Sequence, residues 1–226
     1  MNGVLKEILE TNSVRSPDGK TFPLHSHIPR AEGEVIRKWI LERRPRKLLE
    51  IGLGYGVSSL FICDSICGTA DASYHIIDAF QSTEWQSIGK YNLKRAGYEK
   101  AYVLHEELSE ICLPRMLAEK FTFDFALIDG WHTFDHALVD FFYVNRMLDA
   151  GGLVVFDDVH LPSIRKVMAH VATYECYKPL PIPDIIRQSV RSKARRILNL
   201  PEARIGGFVK MIPDNRPWDW HREFSF

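Results

Sequence analysis

Residues 50–56 read Glu-Ile-Gly-Leu-Gly-Tyr-Gly, and this turn constrains the chain more than any other stretch. It follows the apolar pair Leu48-Leu49 and precedes a helix-like run from Val57 to Cys67. A strand therefore ends in a turn where Gly52, Gly54 and Gly56 let backbone come close to a ligand. The same turn delivers that ligand to a helix N-terminus. Glu50, just before the glycines, is placed to hold a cation or a hydroxyl. A dinucleotide fingerprint has glycines at the first, third and sixth positions. Counted from Gly52, the sixth position is Val57, so the third glycine comes one residue early. A tight strand-to-helix turn without a ligand would use the same glycines.

The run Tyr74-His75-Ile76-Ile77-Asp78 reads as a second strand ending on an acid. A carboxylate at that place in an open α/β sheet can accept both hydroxyls of a ribose. Nicotinamide cofactors and S-adenosylmethionine both carry such a ribose, so Asp78 does not separate them. A solvated turn aspartate is the plain alternative.

The length of 226 residues suits one domain with a large core. The formal net charge is zero, so no overall field recruits nucleic acid. No run of about 20 apolar residues could span a bilayer. Met1 to Glu10 lacks the basic-then-apolar order of a signal peptide. Cys63, Cys67, Cys112 and Cys176 show no paired CxxC spacing. A reducing cytoplasm without structural zinc is the expectation.

Along the chain the pattern alternates. A helical preface with a polar loop, Ser13 to His27, fills residues 1–46. Strands are predicted near 47–52, 74–78, 102–106, 123–129 and 152–157, with helices near 57–67, 83–96, 108–119 and 134–148. In the last of these, Phe134, Leu138, Phe141, Asn145 and Leu148 share a face, with Asp135, Asp140 and Arg146 elsewhere. A helix near 163–174 and a short strand at 176–180 follow. Residues 205–212 read as a closing strand, in which Gly206-Gly207 predicts a local bend. Such alternation argues for a doubly wound parallel sheet with helices on both faces.

A second constellation lies in the later half. Phe123 to Asp129 is a buried-strand pattern ending on a carboxylate, followed at once by Gly130-Trp131-His132. Leu153 to Phe156 is an apolar strand ending in Asp157-Asp158. Adjacent parallel strands bring their C-terminal ends together, where open-sheet ligands bind. Asp129, Asp157 and Asp158 can therefore converge, and three oxygen donors suit a hard divalent ion such as Mg2+. Without a cation they would repel and take up protons. Strand-end acids also cap helices or face solvent. His132 has the pKa range of a general base for a hydroxyl proton. Capping a helix or packing against Trp131 is its alternative.

The order Glu50-x-Gly-x-Gly-x-Gly56, Asp78, Asp129-Gly-Trp-His132, Gly151-Gly152 and Asp157-Asp158 resembles the class I S-adenosylmethionine-dependent methyltransferases. Within them it looks most like the metal-dependent small-molecule O-methyltransferases of the catechol, caffeoyl-coenzyme A and macrocin types. The resemblance spans roughly residues 28–212. It implies a Rossmann-like seven-stranded sheet with the last strand antiparallel. It implies that Glu50, Gly52, Gly54, Gly56 and Asp78 hold the cofactor, with Asp129 serving cofactor and metal together. It implies that Asp129, Asp157 and Asp158 hold magnesium. The catechol type has a lysine base three residues after its first metal acid, and here that position is His132. It commonly has Asp-Asn at the second strand end, where this chain has Asp157-Asp158. Ser109, after the third strand, falls where the family often contacts adenine, and a helix start there is the equal alternative.

The expected activity is transfer of the sulfonium methyl to a hydroxyl of a small molecule, with Asp129 and His132 as catalytic groups. A nicotinamide-dependent oxidoreductase and a non-catalytic cofactor-binding protein of the same fold are the rivals. The basic stretch Arg187 to Arg196, within a 181–203 insertion, reads as a solvated face or as a lure for an anionic acceptor. It has too few large apolar residues for stable membrane binding. The aromatic tail, 213–226, is expected to pack on the body or on a second copy in a homodimer.

Overall fold

Two stretches of alternating strand and helix build the chain. The computed structural model describes residues 1–69, 71–181 and 203–224. Its Cα packing falls into two compact units, Met1–Ser109 and Glu110–Phe226.

The first unit holds α1 (Gly3–Thr11), the hairpin β1 (Ser13–Arg15) and β2 (Thr21–Pro23), α2 (Arg30–Arg43), β3 (Lys47–Ile51), α3 (Val57–Ile66), β4 (Ser73–Ile77), α4 (Ile88–Arg95) and β5 (Val103–His105). Asn2 caps α1, its side-chain oxygen accepting from Val4 N at 2.8 Å. β3 pairs in parallel with β4, and β4 with β5. Leu48, Leu49, Ile76 and Ile77 are all buried, the near-continuous apolar pattern of strands covered on both faces. Gly33 lets α2 lie close on α3, because a Cβ there would meet the Phe61 ring at 2.2 Å. The β1–β2 hairpin replaces the polar loop expected from sequence. Its three-residue strands are too short to show a period, and Gly19 turns it at φ +86°.

The second unit holds α5 (Ser109–Ala118, whose first residue closes the first unit), β6 (Phe123–Ile128), α6 (Phe134–Met147), β7 (Leu148–Phe156), α7 (Pro162–Val171), β8 (Tyr177–Pro179) and β9 (Gly206–Lys210). β6 and β7 are parallel, whereas β9 runs antiparallel to both β7 and β8. The strands form a seven-stranded sheet in the order β5-β4-β3-β6-β7-β9-β8. The last strand is thus antiparallel and inserted beside β7, as the sequence led one to expect.

Two details differ from the sequence reading. The buried face of α6 carries Ala137, Asp140, Phe141, Val144 and Asn145, so Asp140 lies inside. The Gly206-Gly207 pair, where a bend was expected, carries no bulge: its register opposite Phe156 and Val155 runs in step. Glycine is needed there for close approach: a Cβ on Gly207 would lie 2.4 Å from Val154 O. The basic stretch 187–196 lies outside the described residues. The aromatic tail packs within its own unit, with the Arg216 guanidinium 3.3 Å from the centroid of the Tyr174 ring and Phe224 against His170. Among the described residues no helix is long and apolar enough to cross a membrane.

Candidate active site

The glycine turn opens directly from the end of β3. Gly52, Gly54 and Gly56 all adopt positive φ, at +96°, +51° and +80°. This alternation of left-handed residues is open to glycine at no steric cost. Asp78 follows β4 and fixes the turn from the side. Its Oδ2 accepts from the backbone N–H of Leu53 and of Gly54, both at 2.9 Å, and from Gln81 Nε2 at 3.0 Å. Its Oδ1 accepts from Phe80 N at 2.8 Å. Four donors thus hold a carboxylate expected to read a ribose, and Asp78 here shapes the cradle. Gln81 also donates to Gly54 O at 2.8 Å.

α4 backs the turn. A Cβ on Gly89 would sit 2.5 Å from Gly54 O, so glycine is required where the helix meets the loop. Asn92 donates to Tyr55 O at 3.0 Å. Beside the turn, the Tyr55 ring meets Trp85 edge-on at 4.9 Å, and its hydroxyl lies 2.9 Å from His25 Nε2.

Glu50 is placed differently from the expectation. Its side chain is fully buried and turned into the unit. The hydroxyls of Ser58 and Ser59 donate to it at 2.5 Å each, and Tyr74 donates to the same carboxyl. Burial pushes its pKa up from 4.5 to about 7, against the pull of these hydroxyls. Glu50 ties the first turn of α3 to β3 and β4 and does not face a ligand. Ser109 is the first residue of α5, which fits its reading as a helix start.

The second unit gathers its acids at the ends of β6 and β7. Asp157 N donates to Ile128 O at 3.1 Å, which keeps the two strand ends level. One donor atom each from Asp129, His132 and Asp157 lies within 4.8 Å of the other two. His132 Nε2 is 3.5 Å from Asp129 Oδ1 and 3.7 Å from Asp158 Oδ2. This nitrogen is buried and makes no hydrogen bond with the described residues. Ser163 anchors the His132 backbone by donating to its carbonyl at 2.6 Å.

Asp158, the third acid of the expected metal set, carries an ion pair of its own. It has a left-handed backbone, φ +50°. Its Oδ1 accepts from Arg204 Nε at 2.9 Å and from Arg204 Nη2. His160 Nδ1 lies 3.5 Å from the same oxygen. A guanidinium is always charged, so it holds this carboxylate as a fixed counter-ion. The carboxylates that join a common cluster are Asp129 and Asp157, with His132 as the third member. Two carboxylates and an imidazole are a donor set that fits a divalent cation.

Gln81, Trp85, Gly89, His160 and Arg204 escaped the sequence reading. Gly89 left a signal, as a glycine inside a helix-like stretch. Arg204 left none, since it reaches Asp158 across 46 positions of chain.

Comparison with known proteins places this architecture. The fold is that of the class I S-adenosylmethionine-dependent methyltransferases. Residues 49–159 match the family model described as Methyltransferase domain. An O-methyltransferase from Bacillus cereus, solved with S-adenosylhomocysteine, is similar over 93% of this chain and 92% of its own, at TM-score 0.69 and 18% identity. The O-methyltransferase TomG of Streptomyces achromogenes, involved in tomaymycin synthesis and solved with S-adenosylmethionine, covers 93% and 91% at TM-score 0.68 and 17% identity. The methyltransferase PaMTH1 of Podospora anserina, bound to S-adenosylhomocysteine, covers 93% and 88% at TM-score 0.68 and 16% identity. Among curated proteins none matches the sequence significantly.

Proposed function

We propose that the protein methylates a hydroxyl of a small molecule with S-adenosylmethionine, assisted by a divalent cation. The observation that carries this reading is the cluster of Asp129, His132 and Asp157 in a chain with a methyltransferase domain. The glycine turn 52–56 holds the cofactor, with its backbone at close approach and the N-terminus of α3 beyond it. In the transfer the hydroxyl oxygen forms a bond to the methyl carbon while the carbon–sulfur bond breaks. The sulfur keeps that electron pair and leaves as the neutral thioether of S-adenosylhomocysteine. The hydroxyl proton passes to an imidazole of the cluster, which the sequence reading gives to His132; His160 is the second imidazole beside Asp158. A divalent ion held by Asp129, His132 and Asp157, magnesium in that reading, would supply Lewis acidity that lowers the hydroxyl pKa.

The acceptor is taken as a small molecule, anionic if the 187–196 stretch recruits it, in a cytoplasmic enzyme that binds neither nucleic acid nor membrane stably. Incubation with labelled S-adenosylmethionine and a panel of phenols, sugars and polyketide alcohols tests the activity. Label should move to oxygen, chelator should suppress it and a divalent ion should restore it. Calorimetry that detects NAD binding and no S-adenosylhomocysteine binding would favour the oxidoreductase instead.

A further inference from the structure

We propose that Asp129, His132 and Asp157 form a mixed carboxylate–imidazole site selective for a first-row transition ion over magnesium, and that Arg204 contributes to this selectivity by neutralising the neighbouring Asp158. The proposal rests on the metal-assisted reading of the same cluster and names its ligands and its class of ion.

The distances argue first. His132 Nε2 lies 3.5 Å from Asp129 Oδ1. That is beyond a nitrogen–oxygen hydrogen bond, which ends near roughly 3.2 Å. It suits two ligands of one ion. Donors each about 2.1 Å from a metal stand about 3.0 Å apart at octahedral and about 3.4 Å at tetrahedral angles. A small inward movement would complete either arrangement.

Burial argues second. His132 Nε2 is shut off from solvent, makes no hydrogen bond among the described residues, and lies 3.5 and 3.7 Å from carboxylate oxygens of Asp129 and Asp158. A neutral imidazole with its lone pair on Nε2 would turn that pair toward carboxylate charge, and a cation between them would be coordinated by both. Ser163 holds the backbone of His132 in the position that aims the ring.

The chemistry of the donors argues third. Magnesium asks for oxygen ligands in near-ideal octahedral geometry. An imidazole in place of a carboxylate moves preference toward manganese, iron, cobalt or zinc. Asp158 adjoins the cluster through Oδ2, 3.7 Å from His132 Nε2, but Arg204 binds its Oδ1 through two nitrogens and offsets the charge it would offer an ion. Val159 N also donates to Arg204 O at 2.7 Å, so the arginine is tied to the turn it neutralises. With His132 Nε2 given to the ion, His160 is the imidazole left to take the hydroxyl proton.

The test uses full-length protein stripped with chelator and then titrated with cobalt(II) or magnesium by calorimetry. One cobalt per chain should bind, at least tenfold more tightly than magnesium. Cobalt should bring d–d absorption bands, and pulsed electron spin resonance of the manganese-loaded wild type should show nitrogen-14 coupling from one imidazole. His132→Ala should weaken cobalt about 10–100-fold and magnesium little, erasing the preference. Arg204→Gln should release Asp158 and strengthen magnesium. Absence of nitrogen coupling, or unchanged cobalt affinity in His132→Ala while Asp129→Asn abolishes binding, overturns the inference and leaves a carboxylate metal site standing. No ion bound by the wild type overturns the metal reading itself and the inference with it.

Discussion

Glu50 keeps a carboxyl group at zero exposure among the hydroxyls of Ser58, Ser59 and Tyr74. Its raised pKa of about 7 means the folded chain holds a proton that the unfolded chain has lost above 4.5. Between these two values the folded state binds more protons, so stability falls as pH rises through that window. The group's contribution is complete below the unfolded value and gone above the folded one. The full difference is on the order of 3 kcal/mol. Glu50→Gln removes the titration and keeps a side chain that can bond hydroxyls. Urea midpoints of the variant should vary less than those of the wild type between pH 5 and pH 7.5, and above that range the variant should be the more stable. Parallel pH profiles would remove Glu50 from the account. The sequence displayed Glu50, Asp78 and the glycines as a set, yet not their partners. Tyr74 stands 24 positions from Glu50, and Leu53 stands 25 from Asp78. Those pairings exist only once β3 and β4 lie side by side.

At the scale of elements, two glycines mark contacts too close for a side chain. On β9, a Cβ at Gly207 would press on Val154 O at 2.4 Å and on Val155 Cα at 3.2 Å. Both are backbone atoms of the neighbouring strand and cannot swing aside. Gly207→Ala should cost about 1–3 kcal/mol, the usual penalty of overpacking, read as a lowered urea midpoint at an unchanged slope. On α4, Gly89 packs against Gly54 O of the turn. Gly89→Ala should push the glycine turn out of shape and weaken S-adenosylhomocysteine at least tenfold by calorimetry. Undiminished affinity would detach α4 from the cradle. Strand and helix positions were largely legible, because long apolar runs such as Leu153 to Phe156 admit one reading. The β1–β2 hairpin was not, being too short to carry a period. The face of α6 was misjudged because Asp140 is buried and a binary pattern assigns a carboxylate to the outside.

At the scale of the whole molecule, the chemistry divides along the chain. The glycine turn, Asp78 and α4 belong to the first unit, and the cluster of Asp129, His132 and Asp157 to the second. The strand-end acids were readable because each closes an apolar strand. Arg204 was not, since its pairing with Asp158 depends on where β9 enters the sheet beside β7. This division makes the cofactor's footprint predictable. A ligand that binds only the folded chain stabilises it by mass action, about 2.7 kcal/mol at a hundredfold excess over Kd. For a chain of this size that corresponds to a rise in Tm of about 5–10 °C. S-adenosylhomocysteine should give such a rise, and NAD at equal concentration should not. Hydrogen exchange should then locate the ligand, with slowed amides concentrated in 52–58 and 78–89. Those are the turn, the first turn of α3, and the segment from Asp78 to Gly89 that backs it. A rise in Tm with slowing confined to 129–163 would place the cofactor in the acidic cluster and undo the assignment of the glycine turn.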